Sequence, residues 1–208
     1  VQDGRLVFLA PHTKFVYRGK NTTIPVGHAF PYTCSREVYD EIGRQMQAAV
    51  TASGADRCSI NADVFVDGNK VSIIEMGGRT GATCIPELIS IYYGFDFYEK
   101  MLRSALGETV EFNCTGKQPC MAKLLLSPAE GKISHIDIEG IRRLEEKGVV
   151  VSLDFPVGHK VFAMADGTDR IGHIIARTEE ESQLDAWMIE AYRCIFIDGV
   201  SLEDIWKR

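Results

Sequence analysis

No stretch of this sequence approaches the ~18 consecutive apolar residues that a membrane-spanning helix needs, so no membrane partner is expected. An excess of basic charge is missing as well. The 23 Lys and Arg stand against 29 Asp and Glu, a formal net charge of −6. Phosphate-backbone binding draws on clustered positive charge, so nucleic acid is not an expected partner either. The six cysteines, at 34, 58, 84, 114, 120 and 194, include no C-x-x-C pair. A chain of 208 residues buries a core without disulfide staples, so they read as reduced thiols and the protein as cytoplasmic. Cys114 and Cys120 are the two near enough in sequence to close a loop. His12, His28, His135, His159 and His173 show no metal-ligand spacing, which sets a transition-metal hydrolase aside. There is no P-loop lysine, no G-x-G-x-x-G, no internal repeat and no low-complexity tract. No signal-peptide pattern is expected ahead of the first strand-like run within the given residues, and what lies upstream of Val1 stays open.

What remains is an ordinary globular composition, 45% hydrophobic and 25% charged. Arg5 to Ala10 reads as a strand, and Pro11 to Pro31 as an irregular stretch broken by Gly19, Pro25 and Gly27. Ser35 is placed as an N-cap with Glu37 in the first turn. Val38, Ile42, Met46 and Val50 recur every fourth residue and predict a buried stripe, which Gly54 ends. Two β-type runs, Cys58 to Val66 and Lys70 to Met76, flank Asp67-Gly68-Asn69 and predict a hairpin. A glycine-rich loop, Gly77 to Gly81, then leads into a helix with Pro86 near its start and Gly94 at its end. A further helix runs from Asp96 to Gly107. Beyond about residue 118 the pattern predicts short strands at Met121 to Leu126, Lys132 to Ile136, Val149 to Leu153 and Ile171 to Ala176. A helix is predicted over Glu139 to Lys147, and Thr178 with Glu181 spells a capping box for the last one. The expected architecture is α+β in two modules, 1–110 and 118–208.

Side chains alternate faces along a strand. A three-residue loop at Asp67 to Asn69 would pair Val66 with Lys70, Asp63 with Ile73 and Asn61 with Glu75. Asn61, Asp63 and Glu75 would then share one face. Two carboxylates held together call for a cation, and an oxygen-only donor set suits Mg²⁺ completed by waters and phosphate oxygens. Arg79, on the loop leaving the same strand, could reach an anion held there. Solvated strand acids and glycine turns are common, so a structural reading of the same residues stays open beside this one.

The stretch VSIIEMGGRTGATCIPELISIYYGFD resembles the last catalytic strand and helix of the ATP-grasp superfamily, in which a metal-binding glutamate is followed by an asparagine and an arginine at two-residue steps. NADVFVDGNK resembles the preceding strand, with Asp63 twelve residues before Glu75. VQDGRLVFLA, PVGHAFP and SREVYDEIGRQMQAAV follow in the order seen in carbamoyl-phosphate synthetase large subunits and carboxylate–amine ligases. The resemblance covers residues 1 to about 107, and more weakly the rest. It implies the C-terminal half of an ATP-grasp domain, an antiparallel sheet with flanking helices, followed by a smaller α+β module.

The resemblance further implies a ligase that uses ATP and Mg²⁺ (or Mn²⁺) to convert a carboxylate to an acyl phosphate, which an amine then displaces. Asp63, Glu75 and Asn61 would be the metal ligands. Glu75, Gly77 and Arg79 would face the nucleotide, Arg79 would steady the transferred phosphoryl group, and His28 would stand by the substrate. Two departures bear on this: Gly77 replaces the usual asparagine, and residue 63 is aspartate where glutamate is common. GHKVFAMADGTDRIGHIIA looks like a hairpin that closes over the site in related enzymes. Small-molecule carboxylate and amine substrates are the implied partners, together with N-terminal domains of the same enzyme, because the phosphate-covering loop and lysines of the superfamily are not in this sequence. The 208 residues alone are accordingly expected to be catalytically silent. A homodimer is compatible with all of this. The competing readings are carboxyphosphate and carbamate phosphorylation of the carbamoyl-phosphate synthetase kind, and a non-catalytic binding or structural module.

Overall fold

The computed structural model describes residues 1–19 and 23–207, and the chain divides into two compact units. Residues 1–11 and 31–117 form the first, residues 12–30 and 118–208 the second.

In the first unit, α1 (Arg36–Ser53) begins where Ser35 Oγ accepts the Val38 N–H and ends at left-handed Gly54. Its buried residues are the stripe Val38, Ile42, Met46 and Val50. That stripe packs on the hairpin β3 (Asn61–Asp67) and β4 (Lys70–Gly77). Helices α2 (Ile85–Tyr93) and α3 (Phe97–Ala105) follow, the second capped by Asp96. The expected strand at 5–10 does not form. Two of its backbone groups meet α1 side chains instead: Leu6 N–H donates to Gln47 Oε1 (2.8 Å) and Leu9 C=O accepts from Tyr39 Oη (3.3 Å). Leu6 and Leu9 join the α1–hairpin core, while Phe8 stacks on Phe112 and meets Tyr93 and Phe95 edge-on.

The second unit holds a five-stranded sheet in the order β1-β2-β5-β9-β7. Its members are β1 (Thr13–Arg18), β2 (Thr23–Phe30), β5 (Cys120–Leu125), β7 (Val149–Leu153) and β9 (Gly172–Arg177), all antiparallel. The stretch 11–31 is therefore mostly strand, not irregular, although residues 20–22 within it lie outside the described residues. The alternation was legible in TKFVYR, where Thr13, Phe15 and Tyr17 are the more buried set. Because β2 pairs with β5, residues 12–30 belong with the C-terminal unit and not with the 1–110 module expected from sequence.

A four-stranded sheet, order β11-β10-β6-β8, contains β6 (Gly131–Ile136), β8 (Lys160–Val161), β10 (Ile195–Ile197) and β11 (Val200–Ser201). Helices α4 (Ile138–Glu145), α5 (Leu184–Arg193) and α6 (Leu202–Trp206) complete the unit. Its core includes the fully buried Leu125, Ile133, Ile174, Ile195 and Leu202, drawn from both sheets and α6. GHKVFAMADGTDRIGHIIA is not a hairpin: β8 joins β6, whereas β9 joins β5 and β7, with a short 3₁₀ turn capped by Asp166 between them. Nor does Thr178 cap a helix with Glu181; its Oγ1 accepts the Glu180 N–H and donates to Gln183. All six cysteines are free. Cys120, buried in the sheet, has its thiol pushed up to about 12 by burial. Among the described residues no helix is long and apolar enough to cross a membrane.

Candidate functional site

The site grows out of the way β3 and β4 satisfy α1. Ala62, Val64 and Val66 of β3 and Val71, Ile73 and Met76 of β4 face the helix. On β4 this inward series steps by three from Ile73 to Met76, because one extra residue, Ile74, is bulged there. Ile74 itself is 68% exposed.

The hairpin closes with Asp67 opposite Lys70 around the two-residue loop Gly68-Asn69, Gly68 taking φ +56°. Beyond the bulge the partners are Asp63 with Glu75, Ala62 with Met76 and Asn61 with Gly77. The expected register, Asp63 with Ile73 and Asn61 with Glu75, is thus corrected. The tighter loop shifts the pairing by one, and the bulge shifts it by one more. Without the bulge Glu75 would stand opposite Ala62, on the face that α1 covers. With it, Asn61, Asp63, Glu75 and Gly77 share the face turned away from α1.

Side chains directly opposite on antiparallel strands have Cβ atoms about 4.5–5.5 Å apart. Two carboxylates so placed repel one another unless a cation lies between them. The Glu75 side chain is exposed and makes no ion pair or hydrogen bond among the described residues. Asn61 lies against the glycine loop: a Cβ built on Gly81 would come 2.7 Å from Asn61 Oδ1. Gly77 brings no side chain, and a Cβ there would meet only Arg79 Cγ, at 3.8 Å. Arg79 is exposed on the loop after β4. Its backbone N–H donates to Gly77 C=O (2.9 Å) and its Nη1 to Thr80 C=O (2.8 Å). Thr83 and Cys84 then adopt left-handed φ of +59° and +62° at the entry to α2. Such conformations cost about 1–3 kcal/mol each in non-glycine residues.

The donor set passes a chemical test for a hard dication. It offers two carboxylates and an amide, oxygen donors that suit Mg²⁺ or Mn²⁺ better than Zn²⁺. No group of three or more His, Cys, Asp and Glu side chains is gathered for a metal among the described residues. A dication on this face would take the rest of its shell from solvent or ligand, as Mg²⁺ ordinarily does.

His28 lies in the second unit, buried on β2 opposite Lys14 of β1 and Ala122 of β5. Its ring meets that of His12 edge-on at 4.9 Å, and His12 also tilts against Phe30. Sixteen residues apart in sequence, the two histidines carry no local signal of this contact. The signal that joins them is the β1–β2 register, which the irregular reading of 11–31 concealed.

No protein-family model matches the chain. No curated protein matches it. Solved structures do. Phosphoribosylglycinamide synthetase from Anaerococcus prevotii superimposes with a TM-score of 0.82 at 23% identity, over 95% of this chain and 51% of that one. L-amino acid ligase from Bacillus licheniformis gives 0.68 at 17%, over 88% and 47%. The biotin carboxylase domain of the 2-oxoglutarate carboxylase from Hydrogenobacter thermophilus, solved with MgADP, ADP and bicarbonate, gives 0.64 at 17%, over 88% and 42%. The fold is therefore the mixed α+β, ATP-grasp-like fold expected from the sequence. The chain spans about half the length of the structures it matches.

Proposed function

We propose that this chain carries the metal- and phosphate-binding half of an ATP-dependent carboxylate–amine ligase. The observation that carries the reading is the Asp63–Glu75 cross-strand pair, turned to the exposed face by the Ile74 bulge. In the overall reaction a carboxylate oxygen attacks the γ-phosphorus of ATP, ADP leaves, and an acyl phosphate forms. The amine then attacks the acyl carbon, and phosphate departs with the bond to oxygen. Such transfers depend on positioning and charge neutralisation more than on covalent help from the protein.

Asp63 and Glu75, with Asn61 as a third oxygen donor, would hold Mg²⁺ or Mn²⁺. When bound, the metal supplies positive charge against the polyphosphate. Arg79 presents a planar fork suited to a phosphoryl or carboxylate group. Gly77 and the loop after it let the backbone approach the nucleotide closely, and His28 stands with the substrate. The remaining phosphate contacts and the substrate pocket belong to the N-terminal domains of the same enzyme, so the 208 residues alone turn over no ATP. Small-molecule carboxylate and amine are the substrates.

The structural match to a domain solved with bicarbonate favours one second reading, with bicarbonate as the phosphoryl acceptor. Bicarbonate-stimulated ADP release by the longer enzyme, without any amine, would select it.

Mn²⁺ titration in the presence of ADP, followed by electron paramagnetic resonance, tests the site itself. Asp63→Asn and Glu75→Gln are each expected to weaken Mn²⁺ at least tenfold, about 1.4 kcal/mol, with unchanged circular dichroism. Wild-type affinity in both variants would remove the hairpin from the site.

A further inference from the structure

Gly81 closes the loop after β4 with no backbone reason to be glycine. Its φ lies outside the left-handed region, unlike that of Gly54, Gly68 or Gly94. What excludes a side chain there is contact. A Cβ built on Gly81 would run into Ile85 Cδ1 and come 2.7 Å from Asn61 Oδ1, closer than folded proteins allow. Gly78, three residues earlier in the same loop, has nothing within 4 Å of the same position.

The two neighbours differ in how firmly they are held. Ile85 opens α2 and is 6% exposed, so the surrounding core keeps it in place. Asn61 opens β3 and is half-buried, and its carboxamide makes no hydrogen bond among the described residues. Across the ladder from it stands Gly77, which offers no side chain to pack against. The amide therefore has no bond to fix it, and the bare α-carbon of Gly81 limits its swing toward the loop.

We infer that Gly81 is a positioning residue that acts through Asn61. Having no side chain, it lets the loop close on Oδ1 and holds the amide on the face shared with Asp63 and Glu75. The inference rests on the reading of that face as the metal site. A group that touches a ligating side chain without touching the metal sets that ligand's orientation, and the metal is held less tightly when the group is lost. A contact between a glycine α-carbon and an amide oxygen is weak in itself, so the fold does not depend on it. The two closest atoms that an alanine methyl at 81 would meet are side-chain ends, not backbone. Ile85 can give only at its terminal methyl, whereas the unbonded amide of Asn61 can leave. An alanine at 81 thus displaces the donor while the chain still folds.

Mn²⁺ titration in the presence of ADP, read by electron paramagnetic resonance, tests this with Gly81→Ala, Asn61→Ala and the two combined. Gly81→Ala is expected to weaken Mn²⁺ about tenfold, the low end of what such contacts carry. The combined variant should bind no worse than Asn61→Ala alone, the non-additivity of residues that act through one contact. Gly81→Ala made in an Ile85→Val background, where the obstructing Cδ1 is gone, should show the same loss relative to Ile85→Val. That pair also keeps the test open where Gly81→Ala alone folds poorly. In the absence of metal, the side-chain amide signals of Asn61 in a ¹H–¹⁵N spectrum should shift more in Gly81→Ala than in Gly78→Ala. Losses that multiply in the combined variant, no loss in the Ile85→Val background, or amide signals that stay in place would each overturn the inference. Wild-type affinity in Gly81→Ala and Asn61→Ala, beside weakened Asp63→Asn and Glu75→Gln, would overturn it and leave the proposed site standing. Wild-type affinity in all four would remove the hairpin from the site, and the inference with it.

Discussion

Gly77 is the residue at which the candidate site and its sequence pattern differ most. It lies on the face of Asp63 and Glu75, opposite Asn61, and leaves room where the superfamily pattern has an oxygen donor. A Cβ there meets nothing closer than Arg79 Cγ at 3.8 Å, ordinary van der Waals contact. Gly77→Asn should therefore fold like the parent, with a thermal midpoint within a few degrees. By adding a side-chain oxygen to the proposed donor set it should tighten Mn²⁺–ADP several-fold by the same paramagnetic titration. Weaker binding would mean that the backbone at 77, and not a missing side chain, makes the contact. At this scale the sequence named the residues but not their register. Asp63 faces Glu75 only because Ile74 is bulged out, and nothing in the alternation of VSIIEMG separates a bulged isoleucine from a buried one.

Elements carry the next level of specification, and caps were the most legible part of it. Ser35, Gly54, Asp96 and Gly94 each end or begin a helix where the sequence placed them, because capping is a local exchange of one side chain or one left-handed residue for orphan backbone groups. Strand neighbours are another matter. Gly27 of β2 lies opposite Lys123 of β5, and a Cβ on it would run into the Ala122 backbone oxygen. Gly27→Ala is expected to cost about 1–3 kcal/mol through overpacking that backbone cannot relieve, seen as a lower urea midpoint.

Helix α6 supplies a pH-dependent term. Hydrogen bonds from Arg193 of α5 and then Lys207 hold the Glu203 carboxyl at about 2, below its ordinary value of 4.5. A carboxyl lowered by folding stabilises the native state above its unfolded value, and that contribution is lost as pH falls toward its folded one. Thermal midpoints of wild type should exceed those of Glu203→Gln at pH 6, with the gap narrowing below about 4.5 and closing near 2. A gap independent of pH would show that packing, not charge, is what the substitution removes.

Over the whole molecule, charge balance is the property the sequence fixes without reference to folding. The chain is acidic, with a sequence pI near 5.4, and proteins lose colloidal stability where net charge vanishes. Solubility measured from pH 4 to 8 should pass through a minimum near 5.4. A minimum displaced by more than a unit would point to carboxyls held far from their ordinary values in addition to those of Glu41 and Glu203, both held at about 2.

By itself the sequence determined the α+β class, both ends of α1, the end of α2 and the start of α3, the β3–β4 hairpin and the residue types on its outer face. These rest on periodicity, capping and turn chemistry, interactions between residues a few positions apart. Tertiary structure decided three things that local pattern does not contain. It left residues 5–10 out of any sheet, where Leu6 and Leu9 pack into the α1–hairpin core and bond Gln47 and Tyr39 of α1. It assigned residues 12–30 to the C-terminal unit, because β2 found β5 almost a hundred residues later. It brought His12 to His28 and turned Glu75 outward, because strand register is set by which apolar side chains must be buried together, and that is a property of the packed core.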